Sequence, residues 1–580
     1  MIKRAILWLF LVSIIAFLPA NASIEFETNY QIIYQIGPRG SAQVTQNISL
    51  TNKFSNIYAR EYQLIINGIE IKNIKAWDQQ GNILKEAKRE QDQVKIKLNF
   101  NQEVVGKNKT LTFHLSYLIP QFAVKKGRVW ELTLPQINNL SEIDSLQLVI
   151  KAPIAFGELS YASIKPKNRN RKGEYQILEY QKSDLKRQPL ILAFGTFQIF
   201  DFSLRFYLQN TQPETITKLI PIPPDTPYQS VILSYINPRP QRIKLDQDFN
   251  WLAEYQLQAN EEKVVVVQGQ AKVFSEPENF ALVDLLRQQN RRSYLQSQPF
   301  WEVDHPLIKK LSQQLDDIEQ IYQLVINQLD YDYQNIASAR RKGAVRAYQT
   351  KLGVCTEFSD LFIALARAAG IPSRELQGFA FTGDQKIISL AANNDVLHSW
   401  PEYWDQNRKI WVPVDPTWAK TTGGMDFLKQ FDLGHLVFVI HGQSSVYPPP
   451  PGAYRSGINQ KNVEVKFAKK LLSLPQVKFE ADLVFQKNQP AILIKNKSLA
   501  PVYQISVQLK EGKDEKAQTK IIDYLPPLGE KTIDISPPGL LSRVFGRPKY
   551  HLQIKEQQWQ FNYPKPKLNL IRLFGKLLRK

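Results

Sequence analysis

The chain has 580 residues, 43% of them hydrophobic, a length that predicts about four domains with cores of their own. Its formal net charge of +20 would suit nucleic acid, but an exported protein, which the signal described next predicts, rarely meets nucleic acid. Anionic lipid or cell-wall polymer fits better, and a merely solvated basic surface fits better still. The single cysteine excludes a disulfide within the chain.

Residues 1–22 have the features of a secretory signal peptide. Lys3 and Arg4 supply the positive start, and a largely apolar run follows over Ile6–Leu18. That run is too short for a comfortable membrane span, and Ala20–Ala22 has the small-x-small pattern of a cleavage site. The pattern predicts an exported protein, extracellular or associated with the cell envelope. An uncleaved membrane anchor is the alternative.

Alternation of apolar and polar residues dominates the next part of the chain. It predicts a β-sandwich over 23–153, with runs such as Gln93–Phe100 and Thr110–Tyr117 that have one wet face. A second β-rich domain is predicted over 154–290. Its polar and basic stretch at 157–187 is typical of a loop or linker.

Helical periodicity indicates a different kind of domain over 291–446. The apolar residues of 318–329 recur at helical spacing, which is typical of one buried helix face. A Pro-rich connector is predicted over 447–473. Renewed alternation over 474–563 predicts an immunoglobulin-like β-sandwich. The expected fold class is therefore multidomain and mainly β, with one α+β domain among the β-sandwich blocks.

Cys355 is the candidate nucleophile, since it lies where an irregular segment becomes an amphipathic helix. The apolar residues from Phe358 to Leu365 trace the buried face of that helix, and Gly370 and Pro372 end it. The N-terminus of a helix favours a thiolate, and its N–H groups can hold a developing oxyanion. The competing interpretation is a buried cysteine that acts as a small hydrophobe.

His398 and Asp415 are the candidate base and the residue that orients it. The polar stretch Asp405–Arg408 predicts a turn between two strand-like runs. If the hairpin is centred in the middle of that turn, His398 lies directly opposite Asp415, within reach of a hydrogen bond. Pro401 and Pro413 indicate that one or both strands are edge strands or irregular. Together the three residues suit a thiol–imidazole–carboxylate site.

The other histidines are weaker candidates. Two of them, His435 and His441, follow the hairpin without an obvious partner carboxylate, and His305 precedes the helices. His114 and His551 fall in separate β-rich blocks.

Residues from about 303 to 418 resemble the transglutaminase-like core, a relative of the papain-type thiol enzymes. The matching stretches are Gly353–Phe362, Ala364–Arg374, Gly378–Phe379, His398–Glu402 and Val414–Trp418. The resemblance implies that Cys355, His398 and Asp415 form a catalytic triad. It also implies a secreted prokaryotic multidomain protein with strand-rich flanking domains. Pro401 departs from the family pattern, which puts the strand geometry beside the histidine in question.

The resemblance suggests Gln349 as an oxyanion helper, because papain-like enzymes place a glutamine six residues before the cysteine. In the transglutaminase-like group this helper varies, and an ordinary surface residue is the alternative for Gln349. No cofactor is predicted. The scattered histidines and single cysteine give no metal spacing, and no Gly-rich phosphate loop is present.

The basic end of the chain, 564–580, is predicted to be an amphipathic tail. Its apolar residues fall on one helical stripe with arginine and lysine opposite, as in helices that bind anionic membrane surfaces. An anionic membrane or cell-wall surface is therefore a candidate partner for Lys565–Lys580. A docked helix or a frayed tail is the alternative.

The sequence favours an exported thiol enzyme that acts on peptide or carboxamide bonds through an acyl-enzyme. Water as acceptor would make it a protease or amidase, and an amine would make it a cross-linking acyltransferase. The first alternative is a cell-surface binding or scaffold protein with an inactive transglutaminase-like core. A weaker one is remodelling of peptidoglycan or the envelope.

Overall fold

The computed structural model describes residues 25–90, 93–134, 140–185, 189–336, 340–381, 397–422, 426–455, 461–487, 489–511, 518–538 and 548–564. The predicted signal segment and Lys565–Lys580 lie outside these residues. By its contacts the chain divides into two compact units, Met1–Gln198 with Trp418–Leu433 and Ile199–Thr417 with Gly434–Lys580. Across the described ranges, no helix has the length and apolar character that crossing a bilayer requires.

Fifteen strands of the first unit are described. They are β1 (Phe26–Ile36), β2 (Ala42–Asn52), β3 (Glu61–Asn67), β4 (Lys72–Asp78), β5 (Gly81–Asn82), β6 (Leu84–Glu90), β7 (Gln93–Asn99), β8 (Thr110–Ile119), β9 (Ala123–Lys126), β10 (Val129–Leu134), β11 (Ser145–Pro153), β12 (Leu159–Ala162), β13 (Asn168–Lys172), β14 (Tyr175–Gln181) and β15 (Leu190–Phe194). They form sheets in the orders β13-β14-β11-β1-β2-β8-β4-β5, β12-β15-β10-β9 and β3-β7-β6. All three sheets contribute to one hydrophobic core.

The largest sheet crosses the predicted boundary at residue 153. Its β11 pairs in parallel with β1 and antiparallel with β14, so strands from both sides of the boundary share one ladder. The stretch 157–187, predicted as a loop or linker, contains β12, β13 and β14, and that prediction is wrong. All residues of β13 are exposed, as suits a charged edge strand, and for that reason it lacks the apolar alternation by which a strand is recognised.

The chain continues with seven strands that form two sheets. They are β16 (Phe197–Gln209), β17 (Ile216–Ile222), β18 (Gln229–Asn237), β19 (Ile243–Leu245), β20 (Trp251–Leu257), β21 (Glu262–Phe274) and, much later, β28 (Val463–Phe467). The sheet orders are β18-β21-β16-β28 and β17-β20-β19. The predicted connector 447–473 thus contains a strand, because its residues 463–467 complete the edge of a sheet.

The α+β part of the chain carries the helices. They are α1 (Phe280–Arg287), α2 (Pro306–Ser312), α3 (Ile318–Gln328), α4 (Ala344–Thr350), α5 (Cys355–Ala368) and α6 (Pro416–Thr421). The strands are β22 (Asp330–Tyr331), β23 (Leu352–Gly353), β24 (Ser373–Ala380), β25 (His398–Asp405), β26 (Ile410–Pro413) and β27 (His435–His441). The last four form an antiparallel sheet in the order β26-β25-β24-β27, against which α5 packs through β24 and β25.

The hairpin of β25 and β26 has a different register from the predicted one. Glu402 pairs with Pro413, a partner two positions later than predicted. The turn includes Lys409 with a φ of 53°, so its centre falls one residue later. The polar residues that predicted the turn did not reveal this left-handed lysine. His398 pairs with Gly378 of β24, on the other side of β25, and Asp415 lies beyond the end of β26.

The C-terminal part forms two further sheets around one core. Its strands are β29 (Phe479–Gln486), β30 (Gln489–Asn496), β31 (Val502–Glu511), β32 (Gln518–Leu525), β33 (Glu530–Asp534), β34 (Lys549–Ile554) and β35 (Gln557–Asn562). The sheet orders are β29-β30-β33 and β32-β31-β34-β35, and both sheets contribute to the same hydrophobic cluster. An immunoglobulin-like topology for this sandwich stays a prediction.

Candidate active site

Cys355 is the first residue of α5, as the sequence predicted. The thiol is free and half-buried. The Glu357 carboxylate, fully buried, accepts hydrogen bonds from the backbone N–H groups of Val354 and Lys342, each at 2.9 Å. Within the described part of the chain, the N–H groups of Cys355 and Thr356 have no recorded acceptor. The helix N-terminus therefore offers two donors beside the sulfur atom.

The structure brings His398 and Asp415 together although their strands do not pair as predicted. Nε2 of His398 donates to Oδ2 of Asp415 at 2.7 Å. Asp415 is fully buried, and the His398 side chain is 12% exposed. The contact forms because the chain leaves β26 after Pro413 and turns toward α6, with the Val414 N–H donating to the Pro401 carbonyl at 2.9 Å.

The two side chains shift each other's protonation. Burial lowers the pKa of His398, but the charge of Asp415 and side-chain hydrogen bonds to Asp415 and Cys355 raise it to about 9. Burial raises the pKa of Asp415, but the charge of His398 and hydrogen bonds from His398 and His435 lower it to about 2. The arrangement therefore favours an imidazolium beside an ionised carboxylate.

Cys355 and His398 interact directly through their side chains. The hydrogen bond between them is one of the contacts that raise the pKa of His398. Because Nε2 of His398 is hydrogen-bonded to Asp415, Nδ1 is the ring nitrogen left to interact with the thiol. Sulfur, imidazole and carboxylate thus follow one another in a chain.

A second imidazole, His435, reaches the same carboxylate oxygen. Its Nε2 donates to Oδ2 of Asp415 at 3.2 Å, and its side chain is 1% exposed. His435 begins β27, which pairs with β24 on the side opposite β25. No partner carboxylate is obvious for His435 in the sequence, and the structure shows that Asp415 is that partner.

A buried polar network continues behind the Cys355–His398 pair. Ser399 donates to Glu375 at 2.6 Å, and its hydroxyl oxygen lies 3.0 Å from that of Ser359 of α5. Glu375 also contacts Nδ1 of His441 at 2.9 Å and Arg341 at 3.1 Å. This is the partner carboxylate that the sequence did not reveal for His441.

Arg341 joins this network to α5. It contacts Asp360 of α5 through Nε and Nη2, and its Nη1 donates to the Ser445 carbonyl at 2.7 Å. Burial raises the pKa of Glu375, but the charge of Arg341 and the His441 contact hold it below its usual range. The network fixes α5 to β24 and β25, the elements that carry or flank the thiol and the imidazole.

Residues 302–416 match the family profile of the transglutaminase-like superfamily. This segment is a transglutaminase-like core. The match begins before α2 and ends at the residue after Asp415, so it contains Cys355, His398 and Asp415. His435 lies beyond it.

Comparison with known proteins adds three more distant likenesses. A stretch of 75 residues is 32% identical to the uncharacterized protein YebA of Bacillus subtilis strain 168, and covers 12% of this chain and 10% of that protein. A candidate cysteine protease from Cytophaga hutchinsonii shares 16% identity over 47% of this chain and 91% of its own, with a TM-score of 0.31. The periplasmic domain of TgpA from Pseudomonas aeruginosa, bound to ethylmercury, shares 15% identity over 39% of this chain and 91% of its own, with a TM-score of 0.21.

Gln349 is not gathered into this group of side chains. It lies exposed on α4, and no hydrogen bond from its amide to Cys355 or His398 is found among the described residues. The predicted role as an oxyanion helper has no support in this arrangement. In the transglutaminase-like core, the backbone N–H groups at the start of α5 are better placed than Gln349 to bind an oxyanion.

Three side chains of the transglutaminase-like core could hold a metal ion. Among the described residues, the donor atoms of His398, Asp415 and His435 form a group in which all lie within 4.8 Å of one another. No metal spacing is visible in the sequence, because His435 reaches the group only through the pairing of β27 with β24.

Proposed function

We propose that the protein is a thiol enzyme that acts on peptide or carboxamide bonds through Cys355, His398 and Asp415. The observation that carries the proposal is the chain of contacts from the thiol to His398 and from His398 to Asp415 at 2.7 Å. A thiol at a helix N-terminus beside a raised-pKa imidazole is the arrangement that activates a cysteine nucleophile.

Transfer of the Cys355 proton to Nδ1 of His398 gives the thiolate–imidazolium pair from which the reaction begins. The thiolate attacks the carbonyl carbon of a carboxamide, and the carbonyl electrons move to oxygen. As the intermediate collapses, the imidazolium gives its proton to the departing amine or ammonia, which leaves a thioester on Cys355. Asp415 keeps the ring oriented and stabilises its positive charge throughout.

The oxyanion of the intermediate is assigned to the start of α5. The backbone N–H groups of Cys355 and Thr356 lie in the first turn and point out of the helix N-terminus. Hydrogen bonds aimed at a developing negative charge supply much of the acceleration in acyl transfer. Glu357 supports this geometry because its carboxylate accepts from the Val354 N–H, which fixes the entry into the helix.

The acceptor in the second half-reaction decides the class of enzyme. Water returns the free acid, as in a protease or amidase, and an amine forms a new amide, as in a cross-linking acyltransferase. Both follow from the same thioester, with His398 taking the proton of the incoming group. The signal-like segment 1–22 supports export of the enzyme. Its substrates are then proteins or peptides of the cell envelope.

Selective labelling tests the proposal. Cys355 is the one cysteine in the sequence, so iodoacetamide should add one carbamidomethyl group. Activity against glutamine-containing peptides should fall in proportion to the fraction of protein that is labelled. Cys355→Ala should remove both activity and labelling. His114→Ala, a change in the first unit, serves as the control and should leave both intact. Peptide turnover that survives Cys355→Ala would refute the proposal, and a wild-type protein that turns over no peptide would favour an inactive scaffold.

A further inference from the structure

The three donor atoms around Asp415 converge on one point inside the core. Nε2 of His398 and Nε2 of His435 lie 2.7 Å and 3.2 Å from Oδ2 of Asp415. One ligand atom from each of the three residues lies within 4.8 Å of the other two. Orienting a catalytic imidazole requires one carboxylate and one ring. The second ring on the same oxygen gives the group the composition of a metal site, two imidazoles and one carboxylate.

The spacing suits a small transition-metal ion. Zinc bonds of about 2.0–2.1 Å in tetrahedral geometry place ligand atoms about 3.3 Å apart, so shifts of about 1 Å would bring these atoms to that separation. Two imidazole nitrogens favour zinc over calcium or magnesium, which prefer oxygen ligands. The buried carboxylate supplies negative charge in a site that is otherwise uncharged when both rings are neutral.

Neighbouring side chains hold the two rings in place. The Trp400 ring lies 4.8 Å from the His435 ring and 5.7 Å from the His398 ring, centroid to centroid. Asp415 and His435 are closed off from solvent, whereas His398 is 12% exposed. An ion therefore enters past His398, on the side where Cys355 lies.

We propose that His398, Asp415 and His435 bind zinc and that zinc reversibly inhibits the enzyme. Zinc coordination through Nε2 of His398 displaces the proton of that nitrogen to solvent, and a neutral imidazole bound in this way carries its single proton on Nδ1. Nδ1 then donates toward Cys355 and cannot accept the thiol proton. The inhibition rests on the proposed function, whereas the binding itself does not.

Zinc titration of cysteine-free protein separates this site from capture of the ion by the thiol. The full chain with Cys355→Ser should bind one zinc ion, measured by competition with a chromophoric chelator. Adding His435→Gln should weaken zinc binding by a larger factor than the loss of about 10–100-fold that is typical when a residue outside the ligand set is changed. His441→Gln is the matched control, because His441 is a buried histidine of the same strand with its own carboxylate, Glu375, and binding should be unchanged.

Cobalt bound to the wild-type protein gives a second measurement that does not depend on a variant's folding. Visible d–d absorption without a sulfur-to-cobalt charge-transfer band is expected, since the ligands are nitrogen and oxygen. A sulfur band, loss of binding in the Cys355→Ser protein, or equal affinities of the His435→Gln and His441→Gln proteins would overturn the site.

The inhibition is tested separately on wild-type enzyme. One equivalent of zinc should abolish peptide turnover, and a chelator should restore it. Zinc bound at full occupancy without loss of turnover would overturn the inhibition alone. A protein that binds zinc but turns over no peptide in its absence would refute the proposed function while leaving the site.

Discussion

Asp415 is the residue on which the proposed chemistry depends most. A fully buried carboxylate is costly unless partners compensate its charge, and here two imidazoles donate to one of its oxygens. These contacts hold the pKa of Asp415 at about 2. The contact with Asp415 also helps to raise the pKa of His398 to about 9. The residue therefore does more than orient the ring, since it determines which protonation state His398 adopts.

Replacing Asp415 with asparagine should reduce kcat by about 10²–10⁴-fold, the contribution typical of acid–base catalysis. The amide has the shape of the carboxylate but removes the negative charge that stabilises the imidazolium. Steady-state kinetics on a peptide substrate measure the effect, with the melting temperature as a check on folding. A kcat within a factor of about two of wild type would mean that the carboxylate has no part in catalysis.

Among the individual residues of the site, the sequence predicts those whose pattern is local. Cys355 was predicted from the helix that begins at it, and His398 and Asp415 from the runs on either side of a polar turn. His435 was missed because it reaches Asp415 only after β27 pairs with β24, a long-range contact that leaves no local pattern. The partners Glu375 and Arg341 were missed for the same reason.

The four-stranded sheet of the core explains how distant residues meet. His398 pairs with Gly378 of β24, and Gly378 in turn pairs with Val437 of β27 across a bulge. A Cβ at Gly378 would overlap the carbonyl oxygen of Leu436. The close approach of β24 and β27 thus requires glycine, and it brings His435 and His398 to one end of the sheet.

Gly378→Ala should destabilise the core by about 1–3 kcal/mol, the range for forcing extra volume into a packed site. Because the displaced strand carries His435, the substitution should also weaken zinc binding and lower activity in the folded protein. Thermal melting and peptide turnover measure the two effects. An unchanged melting temperature with full activity would show that the strands can separate without consequence.

Pairing of these elements was harder to predict than their existence. The strands on either side of Asp405–Arg408 were expected, but their register was wrong because Lys409 adopts the left-handed conformation, and a lysine gives no sign of that. The residues of the exposed strand β13 are all polar, so their pattern predicts a linker and not a strand. In both cases the backbone partner, and not the side-chain pattern, decides the structure.

In the second unit, a buried carboxylate joins the C-terminal sandwich to earlier strands. Asp225 accepts from the Tyr503 hydroxyl at 2.5 Å and from the Val231 N–H at 2.6 Å. Tyr503 also accepts from the Asn279 amide at 3.0 Å. Burial raises the pKa of Asp225 to about 7, although these hydrogen bonds oppose the shift.

The stability of the second unit should therefore fall as the pH rises through neutrality. The native state holds the Asp225 proton up to about pH 7, whereas an unfolded chain loses it near about pH 4. The stabilisation is complete below the lower value and is lost as the pH rises through the higher one. Urea midpoints at pH 5 and pH 8 should differ more in wild type than in Asp225→Asn, and equal differences would contradict this assignment.

Domain boundaries were the least predictable feature of the whole molecule. A change was expected at residue 153, but the first unit extends to Gln198 and includes Trp418–Leu433. The amino-acid composition changes little at residue 153 or at Gln198. Because β11 pairs in parallel with β1, strands that follow residue 153 join the first sheet. The mainly β architecture and the transglutaminase-like core were nevertheless correct, because alternation and the motifs around Cys355 are strong local signals.

The most direct test of the account is the intact mass of the protein after incubation with glutamine-containing peptides. The wild-type chain should gain the mass of one acyl group, located on Cys355 by fragmentation, and His398→Ala should form this adduct far more slowly. Added amine should release the peptide as a new amide if the enzyme is an acyltransferase, and water should release the acid if it is a hydrolase. A wild-type chain that never acquires an acyl group on Cys355, under conditions in which peptides are converted, would rule out Cys355 as the nucleophile.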